Sequence, residues 1–243
     1  MMKQITLGLL VCDHVAERFR PIDGDYTAIF ATLFERIEAD VEWRIYDVSA
    51  GEFPSALDEC DGYVTTGSRA SAYDQRDWIL RLKEMVRDLY RAGIPLIGIC
   101  FGHQVVAEAL GGMVAPAATG WGVGLHGVTI APREDWMEPF ASTVGLLYLH
   151  QDQVVELPPG AVLLGRSEHC PNAIYRIDHQ ILCIQAHPEL SPRYLAAVLN
   201  DRRPLIGDPK VDTALASLSN PIDALLVARW IMRFLDRGLV GSS

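Results

Sequence analysis

A cysteine stands between two glycines where an apolar run gives way to a helical pattern, in Gly93-Ile94-Pro95-Leu96-Ile97-Gly98-Ile99-Cys100-Phe101-Gly102-His103-Gln104. Leu96 to Ile99 is short enough for a buried strand. Helical spacing then runs from His103 through Val105, Val106, Ala109 and Leu110 to Gly111-Gly112. The pattern is strand, tight turn, helix, with Cys100 on the turn. A thiol at a helix N-terminus sits at the positive end of the dipole, which stabilises its thiolate; a reference pKa of about 8.5 drops there by roughly a unit or more. Gly98 and Gly102 remove side chains that would crowd the turn or block a substrate from the sulfur. Taken alone, Cys100 fits two fates, a buried core thiol and a nucleophile.

A nucleophilic thiol needs a base, and the base needs an acceptor to orient it. His187 ends a second apolar run, and Glu189 follows across Pro188. Proline fixes its own φ and biases the preceding residue towards extended backbone, which lets the two side chains share one side. One ring nitrogen can then donate to the carboxylate while the other takes the thiol proton. Each residue alone also fits a plainer role: a core or loop histidine, and a solvated or helix-start carboxylate before Ser191.

The elements that would position these groups can be read from periodicity. Ile5–Val11 reads as a first buried strand, followed by a polar loop through Cys12-Asp13-His14 to Pro21. Tyr26, Ile29, Phe30, Leu33, Phe34 and Ile37 lie on one face of a helix. Trp43–Val48 and Gly62–Thr66 read as further strands, the latter ending at Gly67-Ser68, and a helix runs from about Asp74 to Arg91. This alternation predicts an α/β fold with a mostly parallel central sheet flanked by helices, whose loops gather at the carboxyl ends of the strands. Cys100 and Gly67 both sit at such ends. From Met113 to Ile184 the pattern turns to short strands, at Gly124–Ile130, Leu146–His150, Val162–Leu164, Ala173–Ile177 and Ile181–Ile184, which predicts a small antiparallel section. A helix from about Ser191 to Asn200, a polar proline-containing stretch over Asp201–Pro209 and a last helix from about Pro221 to Arg237 complete a single domain over residues 1–243.

Composition narrows the function classes. The 243 residues are 49% apolar and 21% charged, ordinary for a protein with a sizeable core. The net charge of -10 and pI of about 5.1 argue against nucleic-acid or anionic-membrane partners, and Arg202-Arg203 is a pair, not a patch. Five scattered cysteines do not form a disulfide framework, and no run approaches the ~18 apolar residues of a membrane span. The N-terminal apolar stretch is too short for a signal peptide, so a cytoplasmic location is expected. His14, His126, His169 and His179 show no metal-ligand spacing, and no Walker-type loop or Gly-x-Gly-x-x-Gly follows a strand. Neither a metal nor a cofactor is expected.

Gly98-Ile99-Cys100-Phe101-Gly102-His103-Gln104 with a downstream His187-Pro188-Glu189 resembles the triad-type, class I glutamine amidotransferases, over nearly the whole chain. The resemblance implies the flavodoxin-like fold of that family. It makes Cys100 the nucleophile on a γ-glutamyl amide, His187 the base and then the acid, and Glu189 the group that holds the imidazole. It places the oxyanion donors at the amides of Gly67 and Phe101. The family's Gly-Gly-Pro-Gly-like loop is replaced here by Thr65-Thr66-Gly67-Ser68, which keeps the glycine and changes its surroundings. Gln104 matches a glutamine that seats the substrate. His150-Gln151-Asp152 resembles a His-x-Asp segment whose acid faces the substrate's α-amino group, and Trp121 in Gly120-Trp121-Gly122 stands in a loop beside the substrate backbone.

Three functional readings follow from the resemblance. The first is a glutaminase-type hydrolase or amidotransferase acting on glutamine or another γ-glutamyl compound through a cysteine thioester, with ammonia passing to a separate synthetase subunit where one exists. The second is a stand-alone γ-glutamyl peptidase or other cysteine hydrolase, which the Cys12-Asp13-His14 loop and Gly24-Asp25-Tyr26 favour over the synthetase-fused members. The third is a non-catalytic regulatory subunit that keeps the fold.

Overall fold

The computed structural model describes residues 4–240. Strand β1 (Ile5–Leu10) leads through a short helix α1 (Arg20–Asp23) to α2 (Tyr26–Glu35) and then β2 (Val41–Tyr46). Asp25 starts α2 by accepting the Tyr26 N–H, and Ile29, Phe30, Leu33 and Phe34 bury its inner face. β2 pairs with β1 along its whole length, from Val41 opposite Ile5 to Tyr46 opposite Leu10. That pairing explains why β2 starts two residues before the predicted strand. It ends two residues earlier because Asp47 caps a short 3-10 turn at Val48–Ala50.

β3 (Gly62–Thr65), α3 (Asp77–Ala92), β4 (Leu96–Ile99) and α4 (Phe101–Ala109) follow. Gly93, with φ +73°, ends α3 in the left-handed conformation that glycine adopts without strain. Beyond α4 come β5 (Met113–Pro116), β6 (Gly122–Ile130), β7 (Thr143–His150), β8 (Asp152–Glu156), β9 (Ala161–Arg166), β10 (Ile174–Ile177) and β11 (Ile181–Ile184). The chain closes with α5 (Pro192–Asp201), α6 (Arg203–Ile206), α7 (Asp208–Ser217) and α8 (Ala224–Val240).

Among the described residues the main sheet has nine strands in the order β2-β1-β3-β4-β11-β10-β9-β6-β7, and β5 pairs with β8 separately. The α/β class read from the sequence holds. β1, β2, β3, β4 and β11 are mutually parallel, and β10, β9, β6 and β7 continue the same sheet antiparallel. β11 belongs to both halves, parallel to β4 and antiparallel to β10. One face of the sheet packs on α2 and α8 through Phe30, Phe34, Trp230 and Phe234, and the other on α3 and α4 through Leu82, Val86, Leu89 and Val106. α5 and α7 close over β7 through Leu195, Leu199 and Val211.

The stretch over Asp201–Pro209 is not a plain loop. Pro204 and Pro209 each sit in the first turn of a helix, α6 and α7, where proline's missing N–H costs nothing. Read as breakers, they hid both helices. No described helix is long and apolar enough to cross a membrane.

Gly98 and Gly102 perform the first of the two tasks expected of them, relieving crowding at the turn. A Cβ on Gly98 would stand 2.9 Å from the backbone of Gly102, and one on Gly102 would overlap the Thr65 hydroxyl. That hydroxyl accepts the Ile99 N–H at 3.2 Å. The two glycines let α4 lie directly on β3 and β4, which fixes the turn between them. Gly102→Ala is expected to destabilise the protein by about 3 kcal/mol through overpacking, read as a lowered denaturation midpoint in urea.

Candidate active site

Cys100 ends β4 and is the N-cap of α4, with φ +51° and ψ -98°. A non-glycine residue at positive φ costs of order 1–3 kcal/mol and persists only where its surroundings determine it. Here the Cys100 N–H donates to Ile184 O at the end of β11 (2.8 Å), and Cys100 O accepts from the Gln104 N–H (3.2 Å). The sharp turn aims the thiol at the N-terminal end of α4, where the amides of the first turn point outward without intrahelical partners. Phe101 contributes the first of these amides. Its ring is buried against Trp78 and belongs to the core.

The parallel pairing of β11 with β4 brings the residues after β11 beside Cys100. His187 is fixed by its N–H to Leu147 O (2.8 Å). Its Nδ1 stands 2.7 Å from Glu189 Oε1, and the Glu189 carboxylate is fully buried. His187 Nε2 is buried and is not engaged by Glu189. Burial disfavours charge on this imidazole, but the neighbouring Cys100 and Glu189 outweigh it and hold the His187 pKa well above its ordinary value. A Cβ placed on Gly67 would lie 3.1 Å from His187 Cε1 and 3.8 Å from Cys100 Cβ. Gly67 therefore touches both groups, as its place at the end of β3 predicts.

The Gly67 loop is held by the segment after β1, a contact that no sequence pattern announces. Thr66 Oγ1 accepts the Cys12 N–H (2.9 Å). Asp13 accepts from the Arg69 N–H (2.9 Å) and from its guanidinium Nε and Nη2, both at 2.7 Å. Asp13 is pulled below its usual carboxylate range, because these hydrogen bonds overcome the opposing effect of burial. At the place where the resemblance implies a Gly-Gly-Pro-Gly-like loop, this chain uses a side-chain clamp.

A cavity of 440 Å³ opens over the thiol and is bordered by Gln104, Trp121, His150, Gln151 and Asp152. All five are residues that the sequence singles out. Gln104 Nε2 donates to Asp152 O (2.7 Å) and Gln185 Oε1 (3.1 Å), and Gln185 Nε2 reaches Cys100 Sγ at 3.6 Å. Gln185 thus couples the helix after the thiol to the strand before His187. Its position at the end of an apolar strand, immediately before Ala186-His187, was the available signal. Asp152 accepts from Ser71 Oγ (2.6 Å) and Tyr73 OH (3.3 Å), neither of which any motif marks. His150 is buried, which drives its pKa well below the ordinary histidine value, so it is neutral. It packs against Tyr148 and His169 and borders the cavity from behind. Thiol, imidazole and carboxylate in sequence, facing a cavity with an acid on its wall, are the parts that acyl transfer requires.

Residues 24–202 match the Glutamine amidotransferase class-I family. The chain belongs to that family. The class-I amidotransferase chain is 32% identical over 206 residues to Gamma-glutamyl peptidase 3 of Arabidopsis thaliana, covering 82% of this chain and 81% of the relative. It is 34% identical over 171 residues to a glutamine-hydrolysing GMP synthase of Streptococcus mutans, a match that spans 69% of this chain and 32% of that protein. A crystal structure of a glutamine amidotransferase from Thermotoga maritima superposes with a TM-score of 0.71 at 20% identity, covering 96% of this chain and 98% of the other. One from Methylobacillus flagellatus gives 0.70 at 19% identity, covering 100% and 96%. These two likenesses establish the fold: a class-I amidotransferase α/β sheet flanked by helices.

Proposed function

We propose that this family member hydrolyses a γ-glutamyl amide through a thioester on Cys100. The observation that carries the reading is His187 held by Glu189 on one ring nitrogen, with Nε2 not engaged by Glu189 and beside the Cys100 turn. With the thiol proton on His187 Nε2, where the raised imidazole pKa holds it, the sulfur attacks the γ-carbonyl carbon. Negative charge develops on the carbonyl oxygen, where the amides of Gly67 and Phe101 act as donors; losing one such donor typically costs about 3 kcal/mol. Collapse of the tetrahedral intermediate breaks the C–N bond, and His187 returns its proton to the departing ammonia or amine. Water, deprotonated by the same imidazole, then cleaves the thioester to glutamate and free thiol.

Asp152, with Ser71 and Tyr73 on its carboxylate, is the acceptor for the substrate's α-ammonium. Gln104 fixes the backbone of Asp152 at the required depth. Trp121 and Gln151 form the wall beside the substrate backbone, and His150 supports that wall as a neutral group.

The test is mass spectrometry of intact protein quenched during turnover with glutamine and with γ-glutamyl amides. A mass increase of one glutamyl acyl group, mapped to Cys100 and absent from Cys100→Ser, is the expected result. Turnover that continues in Cys100→Ser would overturn the reading. The similarity to a GMP synthase supports a second version of the same chemistry, in which the released ammonia serves a separate synthetase subunit. Ammonia release that rises severalfold when such a subunit is added would select it.

A further inference from the structure

Arg69 and Arg202 line the cavity above Cys100, and both also border a smaller cleft lined by Arg18 and Asp201. Most cations of this rim are neutralised. Arg69 pairs with Asp13, Arg18 with Asp201, and Arg203 with Asp208 and Asp212. Arg202 forms no salt bridge among the described residues: the acid next to it, Asp201, feels its charge but is hydrogen-bonded to Arg18. In a protein of net charge -10, a half-buried guanidinium that bonds no carboxylate among the described residues is conspicuous.

The position of this charge is built. Arg202 caps α5, its N–H donating to Val198 O at 2.9 Å, and its guanidinium carbon lies 5.9 Å from the centre of the Trp121 ring. The Trp121 loop is fixed in turn by Lys210, whose Nζ donates to Thr119 O and Trp121 O at 3.0 Å each. The same cavity holds a charge of opposite sign, the Asp152 carboxylate. A planar guanidinium with its donors unspent matches a carboxylate better than any other small anion of amino-acid chemistry.

We propose that Arg202 binds a carboxylate of the substrate, so that Asp152 and Arg202 together select a zwitterion. The inference rests on the γ-glutamyl reading above and adds the residue that recognises the acid. A γ-glutamyl peptide carries two such groups, the α-carboxylate of the glutamyl part and the terminal carboxylate of the leaving part. Both present the same chemistry to the guanidinium.

Binding to Cys100→Ser, which separates recognition from turnover, decides the matter. Calorimetry would compare a γ-glutamyl dipeptide with two neutral analogues, one amidated at the glutamyl α-carboxyl and one at the C-terminus, in Cys100→Ser and Cys100→Ser/Arg202→Gln. A hydrogen-bonded charge of this kind is worth about 10- to 100-fold in affinity. One analogue is expected to bind Cys100→Ser more weakly than the dipeptide by that factor, and the double variant is expected to lose the discrimination. Which analogue shows the loss identifies the carboxylate. Full affinity for both analogues, or a loss that persists unchanged without the guanidinium, overturns the proposal. The analogue comparison in Cys100→Ser needs no change at Arg202 and stands even if that substitution disturbs α5. Failure to trap the thioester in the intact enzyme would count against the hydrolase reading alone, because these affinities do not depend on turnover.

Discussion

His187→Asn is expected to lower γ-glutamyl cleavage by about a millionfold, the loss typical when one member of a coupled nucleophile–base unit is removed. General acid–base catalysis by one positioned group contributes about 10²–10⁴. In the proposed mechanism His187 performs it twice in each half-reaction, first accepting the thiol or water proton and then returning it. It also stabilises the thiolate electrostatically, since its pKa is held well above the ordinary histidine value beside Cys100 and Glu189. Leaving-group chemistry separates these contributions. An amine must be protonated to depart, whereas an activated thiophenol departs as an anion. His187→Asn is therefore expected to lose much less rate on a γ-glutamyl thiophenyl ester than on glutamine. Equal losses on both substrates would show that His187 does not protonate the leaving group.

The parts of this site differed in how openly the sequence showed them. Cys100, His187 and Glu189 were legible because each sits where a regular apolar run stops, and a buried parallel strand announces its carboxyl end in that way. Gly67 was legible for the same reason, at the end of Gly62–Thr66. What could not be read was how the sheet bends those ends together. The parallel register of β11 on β4 places His187 beside Cys100, although 87 positions separate them, and β11 lay in a region whose short strands all looked antiparallel. The Asp13–Arg69 clamp, the Ser71 and Tyr73 contacts to Asp152 and the Gln185 bridge are polar pairings between loops or strand ends. Polar residues in such places carry no periodicity that would distinguish a clamp from a solvated surface. Gly98 and Gly102 were legible as residues that relieve crowding at the turn, but Thr65 as the neighbour was not, because close approach of a helix to a strand leaves the same sequence trace as access to a thiol.

Glu189→Gln separates the charge of the third group from its shape. The amide oxygen can still accept from His187 Nδ1–H, so the ring keeps its orientation, but the negative charge is lost. Glu189 Oε2 is buried and makes no hydrogen bond within the described residues, so the substituted amide group breaks no existing partner contact. The protein is expected to fold, while kcat falls by about 10⁴, the scale seen when a carboxylate behind a catalytic imidazole becomes an amide. The pH profile carries the sign of the electrostatic argument. Glu189 is one of the two groups that raise the His187 pKa against the lowering effect of burial. Without it the imidazolium is lost at lower pH, and the alkaline limb of kcat/KM moves down.

The stability follows the same linkage. A raised folded-state pKa makes protonated His187 stabilising at pH values below its unfolded pKa of about 6.5, and that contribution disappears as pH rises through the folded value. The wild type should therefore exceed Glu189→Gln in stability near pH 6, and the gap should narrow above the folded pKa of His187. A gap independent of pH would show that Glu189 acts on His187 through geometry and not through charge.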